Sequence, residues 1–488
     1  MPERRSAKWE EDFPITMEVS SDGKDFHRVG AFTANWDFAE GGQITAACDD
    51  ATGTVFRLTF QNPWRLSIGE IELSETARVH FGEAKAAWMR SRGHGAERRH
   101  HDAFPGPARD RIVAAELTVA RDAVRNISAS LSADGHLRWN VPPGQWRIAR
   151  VGFTSNGHHN APATAEGRGL ECDKLDAQVV RAHLRQYVGK LVERSATRGG
   201  SLVAMEVDSW ECGIQNWTAG FEQRFRMRVG YDLLPFLPAL LEGWIVDSVD
   251  VTERALWDWR RFLADQFGAN YFAVVADFAK RKGLTYVGES TGRQQCLYDT
   301  AWMRNPAVPM GEMWNNTEPG QGVRVDNKVA SSLAHTTGQP VVATEAYTSD
   351  GEHAGWDNHP YAMKPLGDKA FCAGVNQFVF HIFAHQPHAA TGPGFTFASW
   401  GMNFNRANTW WDSVPAWTEY LARCNDLLRE GRSVCDVLFY VGEDVPNRIA
   451  GRDALHPALP AGCEPPGRPR HQPLAQPHDR RRRVAGRH

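Results

Sequence analysis

Acidic and histidine side chains recur at the ends of short apolar runs in this 488-residue sequence. One such run, VVATEAYTS, contains Glu345 near its C-terminal end, although a buried carboxylate is costly unless it is paired or in use. The corresponding positions elsewhere are, in chain order, Glu206, Asp208 and Glu211, then Glu289, then His381 and His385, then Glu443 and Asp444. Carboxyl groups gathered at one place can perform acid–base catalysis, in which one donates a proton while another, ionised, activates water.

Each of these runs follows a segment with the spacing of an amphipathic helix. We predict five such helix–strand units, the first being DAQVVRAHLRQYVGKLVERSATRGG before SLVAMEVDS and the last VPAWTEYLARCNDLLREG before RSVCDVLFYVGED. Every predicted helix ends at or just before a glycine, the residue that best accepts the left-handed conformation at a helix end. The alternation predicts parallel strands joined by helical crossovers, with all the C-terminal strand ends on one rim.

The predicted fold is therefore α/β, either a doubly wound parallel sheet or, as the family resemblance described below implies, a (β/α) barrel, with an N-terminal β-sandwich. The barrel is expected to be incomplete, because only five units are found and a closed barrel uses eight strands. The sandwich is indicated by short alternating runs with an Asp22-Gly23 turn signal between two of them. The predicted organisation is a sandwich-like domain and exposed connection over 1–112, a strand-rich segment over 113–173, a partial barrel over 174–456 and a disordered basic tail over 457–488.

The composition is that of an ordinary globular protein. Hydrophobic residues make up 42%, charged residues 23%, and the formal net charge is -3, so nothing indicates a nucleic-acid or membrane partner. The eight cysteines are scattered without the spacing of a zinc site. The opening MPERRSAKWEEDF lacks the apolar core of a signal peptide, which predicts a cytoplasmic chain as written, or a periplasmic or secreted one if its beginning is missing.

The chemistry of the rim favours a hydrolase. No glycine fingerprint for a nucleotide is found, so no organic cofactor is expected. One alternative is a metal-dependent hydrolase, because His381 and His385 would share a helix face as zinc ligands often do. However, the run VNQFVFHIF looks like a strand, where these two residues would be about 13 Å apart. A second alternative is a carbohydrate-binding protein without turnover, since tryptophans lie beside polar residues in DSWECGIQNWT.

Several segments, taken in order, resemble glycoside hydrolase family 106, the α-L-rhamnosidases. They include GLECDKLD, VDSWECGIQNWT, ATEAYTS, GVNQFVFHIFAHQPH and DVLFYVGEDVPNR, within a match over roughly 130–456. The resemblance implies a (β/α) barrel with attached β-sandwiches and inverting hydrolysis of terminal α-L-rhamnosides. It also implies a calcium ion near the sugar site, and a rhamnose-containing oligosaccharide or glycoside as the partner molecule.

The resemblance also assigns roles to individual residues. The catalytic glutamates match Glu211, expected to be the acid, and Glu345, expected to be the base, with Glu206, Asp208 and Glu289 in reserve. Calcium requires several oxygen ligands, and Glu171 and Asp173 are candidates by their chemistry. The residues expected to contact the sugar are Asp208, Trp210, Trp217, Glu289, His381 and His385.

The two ends of the sequence depart from the family pattern. Members begin with a barrel strand ahead of the sandwich, and none is visible before MPERRSAKWEEDFPI. After ALHPALPAG the sequence turns into CEPPGRPRHQPLAQPHDRRRRVAGRH, which is rich in proline and arginine. Our hypothesis is that the reading frame shifts near Gly462 and that the start of the gene is missing; the alternative is a natural disordered tail. Family-like sequence in the other frames of the parent DNA would support the frameshift, and its absence would refute it.

Overall fold

The structure is a computed structural model of the chain. It describes residues 13–34, 43–61, 68–88, 112–289, 304–315, 325–349, 356, 358–388, 392, 394–397, 400–436 and 438. Within these ranges, no helix is both long and apolar enough to cross a lipid bilayer.

The N-terminal part forms a three-stranded antiparallel sheet. Its strands are β1 (Phe13–Ser20), β2 (His27–Ala34) and β3 (Val55–Phe60), in the order β2-β1-β3. The turn between β1 and β2 contains the predicted Asp22-Gly23 pair, and Gly23 has the positive φ of 74° that favours glycine. In the described part of 1–112 this is the one sheet, so the second layer of a sandwich stays a prediction.

Regular strands are absent from 113–173, which is fully described and which we predict to be strand-rich. Four 3-10 helices occur instead, at Ala115–Leu117, Arg121–Ala123, Ser128–Ser130 and Ala165–Gly167. The remaining pairing consists of isolated bridges, such as the one between Val119 and Val246. Consecutive prolines at Pro142 and Pro143 remove two N–H donors from the most strand-like stretch, which works against a continuous ladder.

The central element is a curled, five-stranded parallel sheet that forms half of a barrel. Its strands lie in sequential order: β4 (Ala204–Val207), β5 (Thr285–Glu289), β6 (Val308–Trp314), β7 (Ala343–Thr348) and β8 (Gln377–Phe380). The α-helices are α1 (Gly82–Lys85), α2 (Ala177–Gln186), α3 (Val188–Ala196), α4 (Phe221–Val229), α5 (Leu237–Glu242), α6 (Val249–Phe267), α7 (Ala273–Lys282), α8 (Val325–Thr337), α9 (Pro360–Cys372) and α10 (Val414–Arg429). A π-helix, Gly268–Phe272, joins α6 to α7.

Four of the five predicted helix–strand units are confirmed, ending in β4, β5, β7 and β8. The last predicted unit has its helix, α10, but 432–436 form no strand and most of 437–444, including Glu443 and Asp444, lies outside the described residues. The fifth observed strand, β6, was not predicted. Its sequence VPMGEMW contains a proline and a glycine, which lower strand propensity, but pairing with β5 and β7 on both sides outweighs that preference.

The two faces of the parallel sheet have different surroundings. The outer face packs on the helices in the largest core cluster, which includes Ala346 and Tyr347 of β7. On the inner face, Val287, Met310 and Ala343 belong to a separate small apolar cluster. Because side chains alternate along a strand, the residues two positions further along share this inner face and lie closer to the C-terminal mouth. The fold therefore places an apolar floor beneath the positions where the acidic residues occur.

Candidate active site at the mouth of the parallel sheet

Three carboxyl groups meet above the apolar floor. Asp208 follows the last residue of β4, Glu289 ends β5, and Glu345 lies in β7. One carboxylate oxygen from each lies within 4.8 Å of the others. Residues that are distant from one another in the sequence are brought together because parallel strands end at one edge. We refer to Asp208, Glu289 and Glu345 as the carboxylate cluster.

Glu289 is the most deeply buried member of the carboxylate cluster. Its side chain is 1% exposed, and one oxygen, Oε2, accepts a hydrogen bond from the Ser209 hydroxyl at 2.8 Å. The other oxygen, Oε1, is buried without a hydrogen-bond partner. Burial raises the pKa of Glu289 well above its usual range, and the hydrogen bond to Asp208 and neighbouring carboxylates add to this effect. Glu289 therefore favours the protonated form, or a bound cation, more strongly than an exposed glutamate does.

Glu345 is also buried and faces the cluster from β7. Burial, followed by the negative charge of Glu312, raises the pKa of Glu345 to about 8. The Thr348 hydroxyl donates a hydrogen bond to Glu345 Oε1, which acts in the opposite direction. His381 Nδ1 lies 3.7 Å from the same oxygen. Glu345 is thus poised to change protonation state near neutral pH.

A β-bulge in β7 makes the contact between Thr348 and Glu345 possible. Glu345 of β7 pairs with Glu312 of β6, and Thr348 pairs with Trp314. Between these two pairs β7 advances by three residues, whereas β6 advances by only two. Tyr347 absorbs the extra residue with a φ of +64°, an uncommon conformation for a large side chain. In a regular strand, residues three apart face opposite sides. Here the bulge sends Tyr347 into the outer core and returns Thr348 to the side of Glu345.

The two acids of β4 differ in their ionisation. Burial acts to raise the pKa of Asp208, but hydrogen bonds from Glu289 and the Ser209 amide, together with the charge of His381, outweigh burial and lower it. The Ser209 N–H donates to Asp208 Oδ1 at 2.6 Å. By contrast, desolvation and the charge of Asp208 raise the pKa of Glu206 to about 6. Asp208 is therefore the member of the carboxylate cluster that favours the ionised form.

Glu211 lies on the loop that follows β4 and is exposed. It is not a member of the carboxylate cluster. The loop is anchored on both sides of Glu211, because the Trp210 indole donates to the Gly213 carbonyl at 2.8 Å and the Asn156 amide donates to the Cys212 carbonyl at 3.1 Å. Glu211 thus projects from a held turn three residues after Asp208.

The two tryptophans expected to contact sugar pack mainly inside the protein. Trp210 is 4% exposed and makes edge-to-face contacts with Phe267 and Tyr271 at centroid distances of 4.9 and 6.1 Å. Trp217 is half-buried and stacks on Phe221 at 5.2 Å. In DSWECGIQNWT these tryptophans stand beside polar residues, which suggested contact with a sugar. The sequence of a loop does not show which way a side chain points, and in the structure both rings turn toward the helical core.

The two histidines do not form the helical pair that a zinc hydrolase would use. Strand β8 ends at Phe380, and 381–388 contain no helix. His381 faces Glu345, and burial lowers its pKa while the charge of Asp208 partly offsets that effect. His385 is exposed further along the segment. The alternative of a metal-dependent hydrolase required His381 and His385 to lie on one face of a helix. That requirement is not met, because these residues lie on a loop that follows a strand.

The predicted calcium ligands are occupied by other partners. Glu171 Oε2 accepts from the Lys174 ammonium at 2.6 Å, and the oxygens of Asp173 accept from the Leu175 amide at 2.9 Å and the Thr218 hydroxyl at 2.5 Å. A buried ammonium beside Glu171 would repel a cation. Glu171 and Asp173 therefore do not fit calcium, and they fix the entry to α2 instead. Among the described residues, the carboxylate cluster has the oxygen ligands and spacing suited to this ion.

Sequence reasoning missed Glu312, Trp314 and Thr348. In VPMGEMW, the alternate residues Val308, Met310, Glu312 and Trp314 share one face, so an alternation test on this short run would have found the first two of the missed residues. The Trp314 indole donates to Glu312 Oε2 at 3.0 Å. No local signal identified Thr348, because a regular strand would have turned it away from the site.

A half-barrel whose C-terminal mouth collects buried carboxyl groups belongs to the class of barrel folds in which glycoside hydrolases build their sites. The profile of glycoside hydrolase family 106, described as alpha-L-rhamnosidase, matches residues 10–464. The chain belongs to this family.

Two known proteins extend the comparison. A solved structure, the rhamnosidase from Novosphingobium sp. PP1Y, superposes with a TM-score of 0.68 at 30% identity and matches 86% of this chain. A protein of Formosa agariphila, which carries the provisional name beta-glucuronidase, is 35% identical over 339 residues, or 69% of this chain. The chain spans 39% of the solved protein and 28% of the Formosa protein.

Proposed function

We propose that this chain carries the catalytic site of a glycosidase that releases terminal α-L-rhamnose with inversion. Glu211 donates a proton to the leaving oxygen, and Glu345 acts as the base that activates water. The observation that carries the proposal is the burial of Glu345 at the mouth of the sheet, beside Asp208 and Glu289. A buried carboxyl group with a pKa of about 8 is suited to gain and lose a proton near neutral pH.

The remaining polar residues bind the sugar. Asp208, ionised and exposed at the mouth, accepts hydrogen bonds from sugar hydroxyls, and His381 offers ring nitrogens beside Glu345. A rhamnoside is neutral and is compatible with this acidic site. The carboxylate of a glucuronide would meet the negative charge of Asp208, so the name of the Formosa protein is a less suitable guide to the substrate.

Calcium fits this proposal at the carboxylate cluster. Asp208, Glu289 and Glu345 would hold the ion, and the unpartnered Oε1 of Glu289 offers an oxygen that has no other bond. A bound divalent cation would favour the ionised forms of these carboxyl groups. Glu345 would then be available as a base at a lower pH than in the metal-free chain.

The test is hydrolysis of an aryl α-L-rhamnoside by the chain and by Glu211→Gln and Glu345→Gln. Each substitution is expected to lower kcat by roughly 10²–10⁴-fold, because it removes one proton-transferring group. Glu419→Gln is the matched control, since Glu419 is an exposed glutamate on α10. Proton NMR of the first turnovers should show the β-anomer of rhamnose.

Three results would count against the proposal. Release of the α-anomer would refute inversion, because a retaining enzyme keeps the configuration of its substrate. Full activity of either glutamine variant would remove that residue from the mechanism. Binding of rhamnosides without release would favour the alternative of a carbohydrate-binding protein.

A further inference from the structure

An aromatic wall borders the carboxylate cluster, formed by Trp314, Phe397 and Trp400. The indole rings of Trp314 and Trp400 are perpendicular, with centroids 6.2 Å apart. Phe397 makes an edge-to-face contact with His381 at 5.7 Å. The wall therefore adjoins Glu312, which lies opposite Glu345 on the neighbouring strand, and it also adjoins His381.

The wall presents a large apolar surface. Trp400 is 47% exposed and Phe397 is 37% exposed, whereas tryptophan and phenylalanine side chains are usually mostly buried. Part of the ring surface of Trp400 and of Phe397 is therefore open to a ligand. Apolar surface that is exposed next to polar groups is typical of a ligand-binding site.

Backbone hydrogen bonds, rather than core packing, fix the position of Trp400. The Gly401 N–H donates to the Ser349 carbonyl at 2.7 Å, and the Met402 N–H donates to the His381 carbonyl at 2.9 Å. Gly401 has a φ of +73°, and a Cβ there would lie 3.0 Å from the His381 carbonyl oxygen. The loop is thus tied to the ends of β7 and β8, and its exposed ring is held beside the site.

The depth of the wall indicates which part of a ligand it contacts. Trp314 lies two residues beyond Glu312 on β6, which corresponds to about 6.6 Å further toward the mouth. A terminal sugar whose hydroxyls reach the carboxylate cluster would direct its leaving group outward past this level. We propose that the aromatic wall binds the leaving group, through a flat apolar ring of an aryl aglycone or the C–H face of a second sugar. This inference rests on the proposed function.

The test measures ligand binding to Glu345→Gln, which binds without rapid turnover. Calorimetry with an aryl α-L-rhamnoside, a rhamnosyl-glucose disaccharide, methyl α-L-rhamnoside and free rhamnose separates the leaving group from the terminal sugar. Adding Trp400→Ala or Phe397→Ala should raise Kd roughly tenfold for at least one of the first two ligands. Kd for methyl rhamnoside and rhamnose should stay unchanged. Phe56→Ala is the matched control, because Phe56 is also 37% exposed but lies on β3.

Each outcome has a defined meaning. Weakening of the aryl rhamnoside alone identifies an aromatic aglycone, and weakening of the disaccharide alone identifies a second sugar; both support the wall. Equal weakening of all four ligands would overturn the assignment and place the terminal sugar on the wall. Unchanged binding of every ligand would overturn it while leaving the proposed function intact. If Glu345→Gln binds none of the four, the proposed function fails, and the wall assignment fails with it.

Discussion

Replacing Thr348 with valine is expected to move the pH dependence of catalysis. Valine has nearly the shape of threonine but lacks the hydroxyl that donates to Glu345 Oε1. This hydrogen bond favours the ionised carboxylate and therefore lowers the pKa of Glu345. Its removal raises that pKa further. A base must be ionised to act, so the acidic limb of kcat/KM should shift to higher pH.

The size of the shift follows from the burial of both partners. Thr348 is 2% exposed and Glu345 is 9% exposed, so water cannot readily replace the lost donor. A hydrogen bond to a charged group contributes about 1.5–3 kcal/mol, which corresponds to an acidic limb about one to two pH units higher. At a pH below the limb, kcat/KM should fall roughly ten- to hundredfold.

The assay is the pH profile of kcat/KM on an aryl rhamnoside for the parent, Thr348→Val and Thr348→Ser. Serine keeps the hydroxyl and should restore most of the parent profile. Melting temperatures of the three proteins check that the fold is retained. An unchanged acidic limb in a folded Thr348→Val protein would refute the idea that this hydroxyl controls Glu345. A serine variant that behaves like valine would show that shape, rather than the hydrogen bond, is responsible.

Three further predictions concern buried charge and metal binding. Because the pKa of Glu289 is raised in the folded protein, its protonated carboxyl group stabilises the fold fully at a pH below the pKa of the unfolded chain, and this stabilisation is lost as the pH rises. Glu289→Gln should therefore raise Tm at about pH 8 more than at about pH 5. Equal changes in Tm at the two pH values would contradict this prediction. Lys85 and Glu253 form a buried ion pair at 2.5 Å. Lys85→Met should lower the free energy of unfolding, measured by denaturant titration, by about 3–5 kcal/mol, because it leaves the charge of Glu253 buried without its partner. Combining Lys85→Met with Glu253→Leu should restore most of the lost free energy of unfolding. Calcium should raise Tm of the parent and of Glu171→Gln by similar amounts, and should raise Tm of Asp208→Asn less. A smaller increase for Glu171→Gln than for Asp208→Asn would instead support Glu171 and Asp173 as the calcium ligands.

The sequence was informative where local physics decides structure. Helical spacing followed by a glycine correctly located the helices before β4, β5, β7 and β8. The position of Asp208 at the end of an apolar run correctly placed it at the mouth end of the parallel sheet. The meeting of Glu289 and Glu345 also followed from the sequence, because parallel strands joined by helices bring their C-terminal ends to one edge.

Failures occurred where distant parts of the chain determine the environment of a residue. Trp210 and Trp217 lie in a polar stretch of sequence, but α4, α6 and the π-helix supply the aromatic neighbours that draw their rings into the core. Glu171 is a local exception, because its partner Lys174 lies only three residues away; the segment GLECDKLD contains both residues but does not show that they form an ion pair. Strand β6 was not predicted because its own residues favour a strand only weakly. Pairing with the two neighbouring strands, β5 and β7, stabilises it.

The sequence alone thus determined four of the helix–strand units and the strand ends at which Asp208, Glu289 and Glu345 lie, since both depend on spacing within a few residues. The tertiary structure alone decided which of these groups are desolvated and which partners they have. The bulge at Tyr347 is the clearest case, because one extra residue relative to a neighbouring strand reverses the direction of Thr348. Register between strands is a non-local property, and it gives Glu345 its hydrogen-bond donor and part of its acid–base character.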